Sequence, residues 1–274
     1  MTRQRRGTRA RILLAPLLLM PIGYGLTGDP LDGSLRDSLR PPGAAFLLGT
    51  DHLGRDVLAR IAHGFVLDVG LSLAILASSF AIGLSIGMLA AAIGGPLDRA
   101  LTFAMDVLTA LPQIVIALVL SVYLGGGAPS LILALSLAGW VKYARIARAT
   151  TYSLREREFV TAARAAGGPR LYLLRRHILP HLLPVFAGLL ALQFGHNILN
   201  IAALGFLGIG VAPPTPEWGA MIAEARPYFS RAPWLAIAPG MSLFLLTIVA
   251  LSIARSANRD LRFENRPARW SGLR

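Results

Sequence analysis

Apolar residues in this chain come in long runs, and charged residues come in bursts between them. Val66 to Gly94, Leu101 to Leu124, Ser130 to Tyr143, Leu182 to Val211 and Leu235 to Ala254 hold few or no charges, and about twenty apolar residues are what a helix needs to cross hydrocarbon. The third run is short and must extend through "ARIARAT", its arginines reaching back to the interface. A sixth run, Ile12 to Thr27, follows a basic stretch, which is also the layout of a secretory signal peptide. No small-x-small cleavage site follows in "YGLTGDPLDG", so it reads as an uncleaved first span. The pattern therefore predicts an all-α, polytopic membrane protein with six transmembrane helices. Its expected divisions are a basic N-terminus (1–11), a first span (12–27), a loop (28–65), a five-helix core (66–254) and a tail (255–274). The core contains two further loops, 151–181 and 212–234.

Within the first loop, Asp51 of "GTDHLGRDVLARIAHGF" stands where a helix N-cap belongs, ahead of Leu53, Val57, Leu58 and Ile61 at helical spacing. An amphipathic helix lying at the outer interface is expected there.

Composition agrees with this class and charge orients it. Hydrophobic residues make up 54% of the 274, charged residues 15%, and the mean hydropathy is +0.59, more apolar than an ordinary soluble core can hide. The net charge of +13 would suggest nucleic acid in a soluble protein. Here it is concentrated in three places: Arg3, Arg5, Arg6, Arg9 and Arg11; the stretch from Lys142 to Arg176; and the tail from Arg255 onward. Six crossings put all three on one face, which the positive-inside rule makes cytoplasmic, with both termini. No nucleic acid is implied. Cysteine is absent, the single lysine, Lys142, lies outside any GxxxxGK[ST] pattern, and no HExxH or GxSxG occurs. Those devices for thiol, nucleotide, zinc and acyl chemistry are excluded.

Polar residues inside the runs are the candidate chemistry, because amides and imidazoles in hydrocarbon are costly unless they face helices or water. Gln193, His196, Asn197 and Asn200 fall at i, i+3, i+4 and i+7. One such residue alone reads as interhelical hydrogen bonding, whereas four on one face suggest a translocation path. Asp106, Thr109 and Gln113 repeat the pattern beside Pro112, which should kink its helix. Asp106 there reads best as a buried charge paired with an arginine and second as a pathway contact, with Gln113 a further pathway candidate. A lone histidine does not make a metal site, which wants three or more ligands; His196 could contact a metal only in passing. Gly83 and Gly87 form a small-xxx-small surface suited either to packing within the subunit or to pairing with another. In "PPTPEWGAMIAEARPYF", Glu217, Trp218, Glu224 and Tyr228 read either as interfacial anchors or as a rigid outer loop that receives a partner.

One segment breaks the apolar pattern. "SLREREFVTAARAA" has a narrow apolar face, Gly167 and Gly168 can end it, and Pro169 can start a second helix, "PRLYLLRRHILP". Two helices meeting at a glycine elbow make a knob, which could grip anionic lipid or dock into another protein.

The residues of this knob, "TAARAAG" followed thirteen positions after Gly167 by the proline of "HILP", resemble the EAA loop of ABC importer permeases. Ala162, Ala163, Gly167, Leu179 and Pro180 match that motif. Thr161 stands where the family has glutamate, and Glu158 and Arg164 lie beside it. "LGTDHLGRDVLAR", "WVKYARIAR" and "ALGFLGIGVAPPTPEWGAMI" resemble the C-type permeases of the dipeptide, oligopeptide and nickel subfamily. The resemblance implies a type I permease fold in a bacterial inner membrane and a knob seated in an ATP-hydrolysing subunit. It also implies a second homologous permease, two ATP-binding subunits that hold ATP and magnesium, an extracytoplasmic binding protein met near Glu217 and Trp218, and no cofactor or catalytic residue in this chain. Peptides, nickel or metal chelates are the implied substrates. A stand-alone secondary transporter or channel is the alternative, although the inverted repeats common in that class are not evident.

Overall fold

A computed structural model describes residues 28–264. The expected first span, 12–27, and the end of the tail lie outside the described residues. After a loop that holds a short 3-10 turn, Leu35–Asp37, eight helices follow. These are α1 (Val57–Ile93), α2 (Gly95–Thr109), α3 (Gln113–Tyr123), α4 (Gly127–Arg155), α5 (Glu158–Ala165), α6 (Arg170–Phe206), α7 (Trp218–Ala225) and α8 (Trp234–Glu264). Four of them are long and apolar enough to cross a membrane, and α2 with α3 makes a fifth candidate.

The first helix corrects the expected N-cap. Asp56, not Asp51, caps α1, accepting from the Leu58 N–H at 3.0 Å. Asp51 is drawn off by two arginines. The expected interfacial helix is therefore continuous with the span, and 37 residues at 1.5 Å each exceed the roughly 30 Å of hydrocarbon.

The run Leu101 to Leu124 is broken rather than kinked. Between α2 and α3 the axis turns by 91°. Pro112, which lacks an N–H and disfavours helical backbone in Leu111, sits at the break as the N-cap of α3. A second disturbance runs through the start of α6, where a π-turn spans Leu173–Ile178 and a 3-10 turn spans Leu183–Phe186. Pro180 and Pro184 sit at these irregular turns, which accommodate their missing donors without ending the helix.

The bundle is assembled on the contact between α1 and α4. A Cβ on Gly83 would lie 2.3 Å from the Trp140 carbonyl, and one on Gly87 would lie 2.3 Å from that of Ala144. Of the two uses open to these glycines, the structure takes internal packing. Around this contact lie three apolar clusters: Leu71, Ile75, Leu131, Leu135, Ile201 and Leu204 at mid-height; Val57, Ile61, Ile198, Trp218, Met221 and Leu246 at one end; and Met88, Tyr143, Val160, Ile178, Leu182 and Phe186 at the other.

Replacing Gly83 or Gly87 by alanine should lower the stability of the detergent-solubilised chain by about 1–3 kcal/mol, the usual cost of overpacking. Gly70→Ala, on the same helix with nothing within 4 Å of its Cβ position, should cost nothing. Thermal unfolding of the three variants checks this; equal midpoints would remove the close approach from the account.

Candidate functional site

The knob is mounted rigidly. Val160, in the middle of α5, is fully buried among Met88 of α1, Tyr143 and Ala147 of α4, and Ile178 and Leu182 of α6. With Val160 pinned, the opposite side of α5 is presented outward: Glu158, Thr161, Ala162 and Arg164 are exposed and Ala163 is half-buried. Gly167 makes the elbow with φ +84°, a conformation that favours glycine. Leu179 packs against the cluster at the base of the knob, while Pro180 is exposed. The matched residues thus come together on one projection. A second clasp holds the neighbouring turn, where Arg148 grips Asp98 with two bonds of 2.5 and 2.6 Å and Tyr152 donates to it at 2.9 Å.

The polar stripe on α6 is divided. Gln193, Asn197 and Asn200 are buried inside the subunit, whereas His196 lies on the exposed face with Leu192 and Leu199. Successive helical positions are about 100° apart, so His196 and Asn197 fall on opposite flanks of the stripe. The edge of the buried region passes between them. Among the described residues the Asn200 Nδ2 and the Gln113 Oε1 have no hydrogen-bond partner. Gln113, at the start of α3, packs toward α4, where Gly139 leaves room for its amide. Asp106 pairs with Arg145 at 2.7 Å, and Arg145 also donates to Thr109 at 2.9 Å. Both partners of this pair are about half exposed, so it decorates the subunit surface and is not a buried ion pair.

At the end of the bundle away from the knob, Glu217 and Trp218 are fully buried. This corrects the expectation that they meet a docking protein, because neither side chain reaches the surface. Glu217 caps α7 instead, accepting from the Gly219 and Ala220 N–H groups at 2.7 and 2.8 Å. Its carboxylate fills the space left by Gly205, where a Cβ would lie 1.7 Å from Oε2. Trp218 is clamped by its backbone N–H donating to Asp68 at 3.2 Å and its Nε1–H donating to the Ile61 carbonyl at 3.1 Å. A sequence signal for this was available: Gly205, Gly210 and Gly219 surround one acid that directly precedes a helix.

Beside this clamp Asp51 bonds Arg55 at 2.6 Å and Arg60 at 2.7 Å, and Arg60 reaches Glu224 at 2.9 Å. Burial pushes the Asp51 carboxyl up, but the Arg55 N–H, the Arg60 charge and the Arg55 side chain outweigh it and hold it below its ordinary value. Asp51, His52 and Glu224 stand close enough to hold a metal ion. Arg60 already bridges the two carboxylates, however, and His52 is stacked on Tyr228 at 5.2 Å. A cation would have to displace the guanidinium, so the group serves as an ion cluster that ties the loop to α7.

Inward-turned polar groups, apolar spans and one rigid knob define a helical membrane permease, and the comparisons place it. The chain belongs to the family of binding-protein-dependent transport system inner membrane components, which matches residues 83–263. It is 35% identical over 249 residues to the nickel transport system permease protein NikC of Escherichia coli K12, covering 91% of this chain and 90% of that protein. It is 39% identical over 220 residues to the di/tripeptide transport system permease protein DppC of Pseudomonas aeruginosa, covering 79% and 71%. Among solved structures it resembles the inward-facing MetNI methionine ABC transporter, with a TM-score of 0.59 at 19% identity over 76% of this chain and 97% of that one. That likeness is one of fold.

Burial drives the Glu217 carboxyl up to about 7 from an ordinary 4.5, against the two backbone N–H groups that favour its charge. Below about pH 4.5 the carboxyl is protonated in both folded and unfolded chains, and its contribution is fully present. As pH rises through about 7 the folded chain must ionise a buried group, and that contribution is lost. Thermal unfolding from pH 4.5 to 7.5 should show wild type losing stability across the window and Glu217→Gln losing markedly less. Parallel curves would contradict the assignment.

Proposed function

We propose that this chain is the translocating permease subunit of an ATP-driven importer of peptides, or of nickel or other metal chelates, delivered by an extracytoplasmic binding protein. It works beside a second permease and two ATP-binding subunits, which hold the ATP and magnesium. The knob, the Gly94–Gly95 turn and both termini face the cytoplasm, and the α7 cap faces outward. The observation that carries the reading is the rigid mounting of α5: Val160 joins it to three helices, while Thr161, Ala162, Ala163 and Gly167 remain available to a partner.

Movement of an ATPase subunit would then displace α5 together with the ends of α1, α4 and α6. Access would switch from one side to the other by rigid-body motion, without covalent chemistry in this chain. His196, on the exposed face of α6, is placed to line a path shared with the second permease. Gln193, Asn197 and Asn200 would form the polar backing behind it on the same helix, with Gln113 a further polar group on α3 against α4. The relatives named for nickel and for di/tripeptides bracket the substrate, and selection rests chiefly with the binding protein. A single imidazole gives a metal only a passing contact.

Gly167→Asp adds a charge at the elbow without a steric clash inside the chain, since nothing lies within 4 Å of its Cβ position. Gly95→Asp is its matched control, at φ +64° with equally open surroundings on the same end of the bundle. On co-purification from membranes, Gly167→Asp should retain less than about a tenth of the ATPase subunit, a loss of roughly 1.4 kcal/mol of binding, and Gly95→Asp should retain it. Equal retention in both would reject docking through the knob.

A further inference from the structure

The base of the knob borders a half-open cavity of about 210 Å³ between the ends of α1 and α4, the α5 helix and the start of α6. Arg155, Arg164 and Arg170 line it, with Ala92, Val160 and Ile178 among its apolar walls and no carboxylate among its lining residues. Among the described residues none of these three arginines forms an ion pair. Arg155 is half-buried and Arg164 and Arg170 are exposed; the guanidinium group stays charged at any ordinary pH, and an anion joining three such groups relieves their mutual repulsion.

Two of the three are held by the chain itself. Arg155 donates through Nη1 to the Ala91 carbonyl and lies over the Tyr152 ring at 5.8 Å, and Arg164 reaches the Arg155 carbonyl at 3.5 Å. Each uses only part of its set of N–H donors this way, which leaves further donors for a ligand. We propose that this cavity binds the phosphate group of an anionic phospholipid headgroup. Arginine forks match phosphate oxygens in pairs, and several around one cavity neutralise it. Position argues for lipid as the source. Ala92 is in the last turn of α1, where the span ends, and the apolar side chains of Ile93, Leu171 and Tyr172 nearby are half or more exposed. This is where acyl chains give way to headgroups. Free phosphate shares the chemistry and is the other source to be distinguished.

Occupancy would tie α5 to the ends of α1 and α6 and make the stiffness of the knob depend on lipid composition. The proposal goes beyond the importer reading and stands on the cavity and its place at the end of α1, so it can fail while that reading holds.

The test uses the full-length chain in phosphatidylcholine nanodiscs. Hydrogen exchange across residues 158–178 should slow at least several-fold when phosphatidylglycerol is included, and native mass spectrometry should find that lipid retained. The double variant Arg155→Gln, Arg170→Gln should retain about tenfold less. Protection by inorganic phosphate alone would assign the site to free phosphate and support the same chemistry. No protection of the wild-type chain by either probe would overturn the proposal, even if the variant does not fold. Undiminished retention by the folded double variant would overturn it too, as would protection that appears only when ATPase subunits are added.

Discussion

Two helix backbones in direct contact organise this bundle. In lipid there is little hydrophobic drive between helices, so association rests on close van der Waals packing and interhelical hydrogen bonds. The Gly83 and Gly87 approach of α1 to Trp140 and Ala144 supplies the first. The Ser78–Ser136 hydroxyl bond at 2.5 Å supplies the second. Phe80 adds edge-on contacts to Tyr143 and Phe186 at 5.7 and 5.0 Å, which bring α6 onto the same frame. Any force applied to one of these three helices is therefore shared by the others.

The two ends of the frame are finished differently. One is closed by buried polar groups: Asp51 paired with Arg55 and Arg60, and the Glu217 cap of α7 beside Trp218. Removing one partner of the Asp51 pairs leaves the other charge buried and unpaired, which is costly. The other end carries the knob, pinned by one valine and edged by arginines. Under the proposed function this asymmetry would put a closed end where solute arrives and an exposed lever where an ATPase subunit acts.

Among the described residues the apolar runs were legible because hydropathy over about twenty residues is a strong signal, and so was the glycine elbow, where Gly167 adopts a positive φ. Periodicity misplaced the start of α1, since Asp51 and Asp56 are both plausible caps and the choice was made by arginines that fold back onto Asp51. The break at Pro112 was visible but its 91° was not, because local sequence fixes a lost hydrogen bond and tertiary packing fixes the angle. Glu217 and Trp218 read as surface residues because acids and interfacial tryptophans usually are. Their burial depends on glycines distant in sequence that leave room for them. The separation of His196 from its amide neighbours was hidden for a related reason: a helix face is wider than the contact that buries it.

On the proposed function, work reaches this subunit from outside it, through the knob. Solute uptake by proteoliposomes measures this most directly, comparing the chain alone, the chain with its permease and ATPase partners and binding protein, and the latter without nucleotide. Uptake only in the complete, ATP-supplied vesicles is the predicted result. Full uptake by the chain alone under an ion gradient would contradict the account.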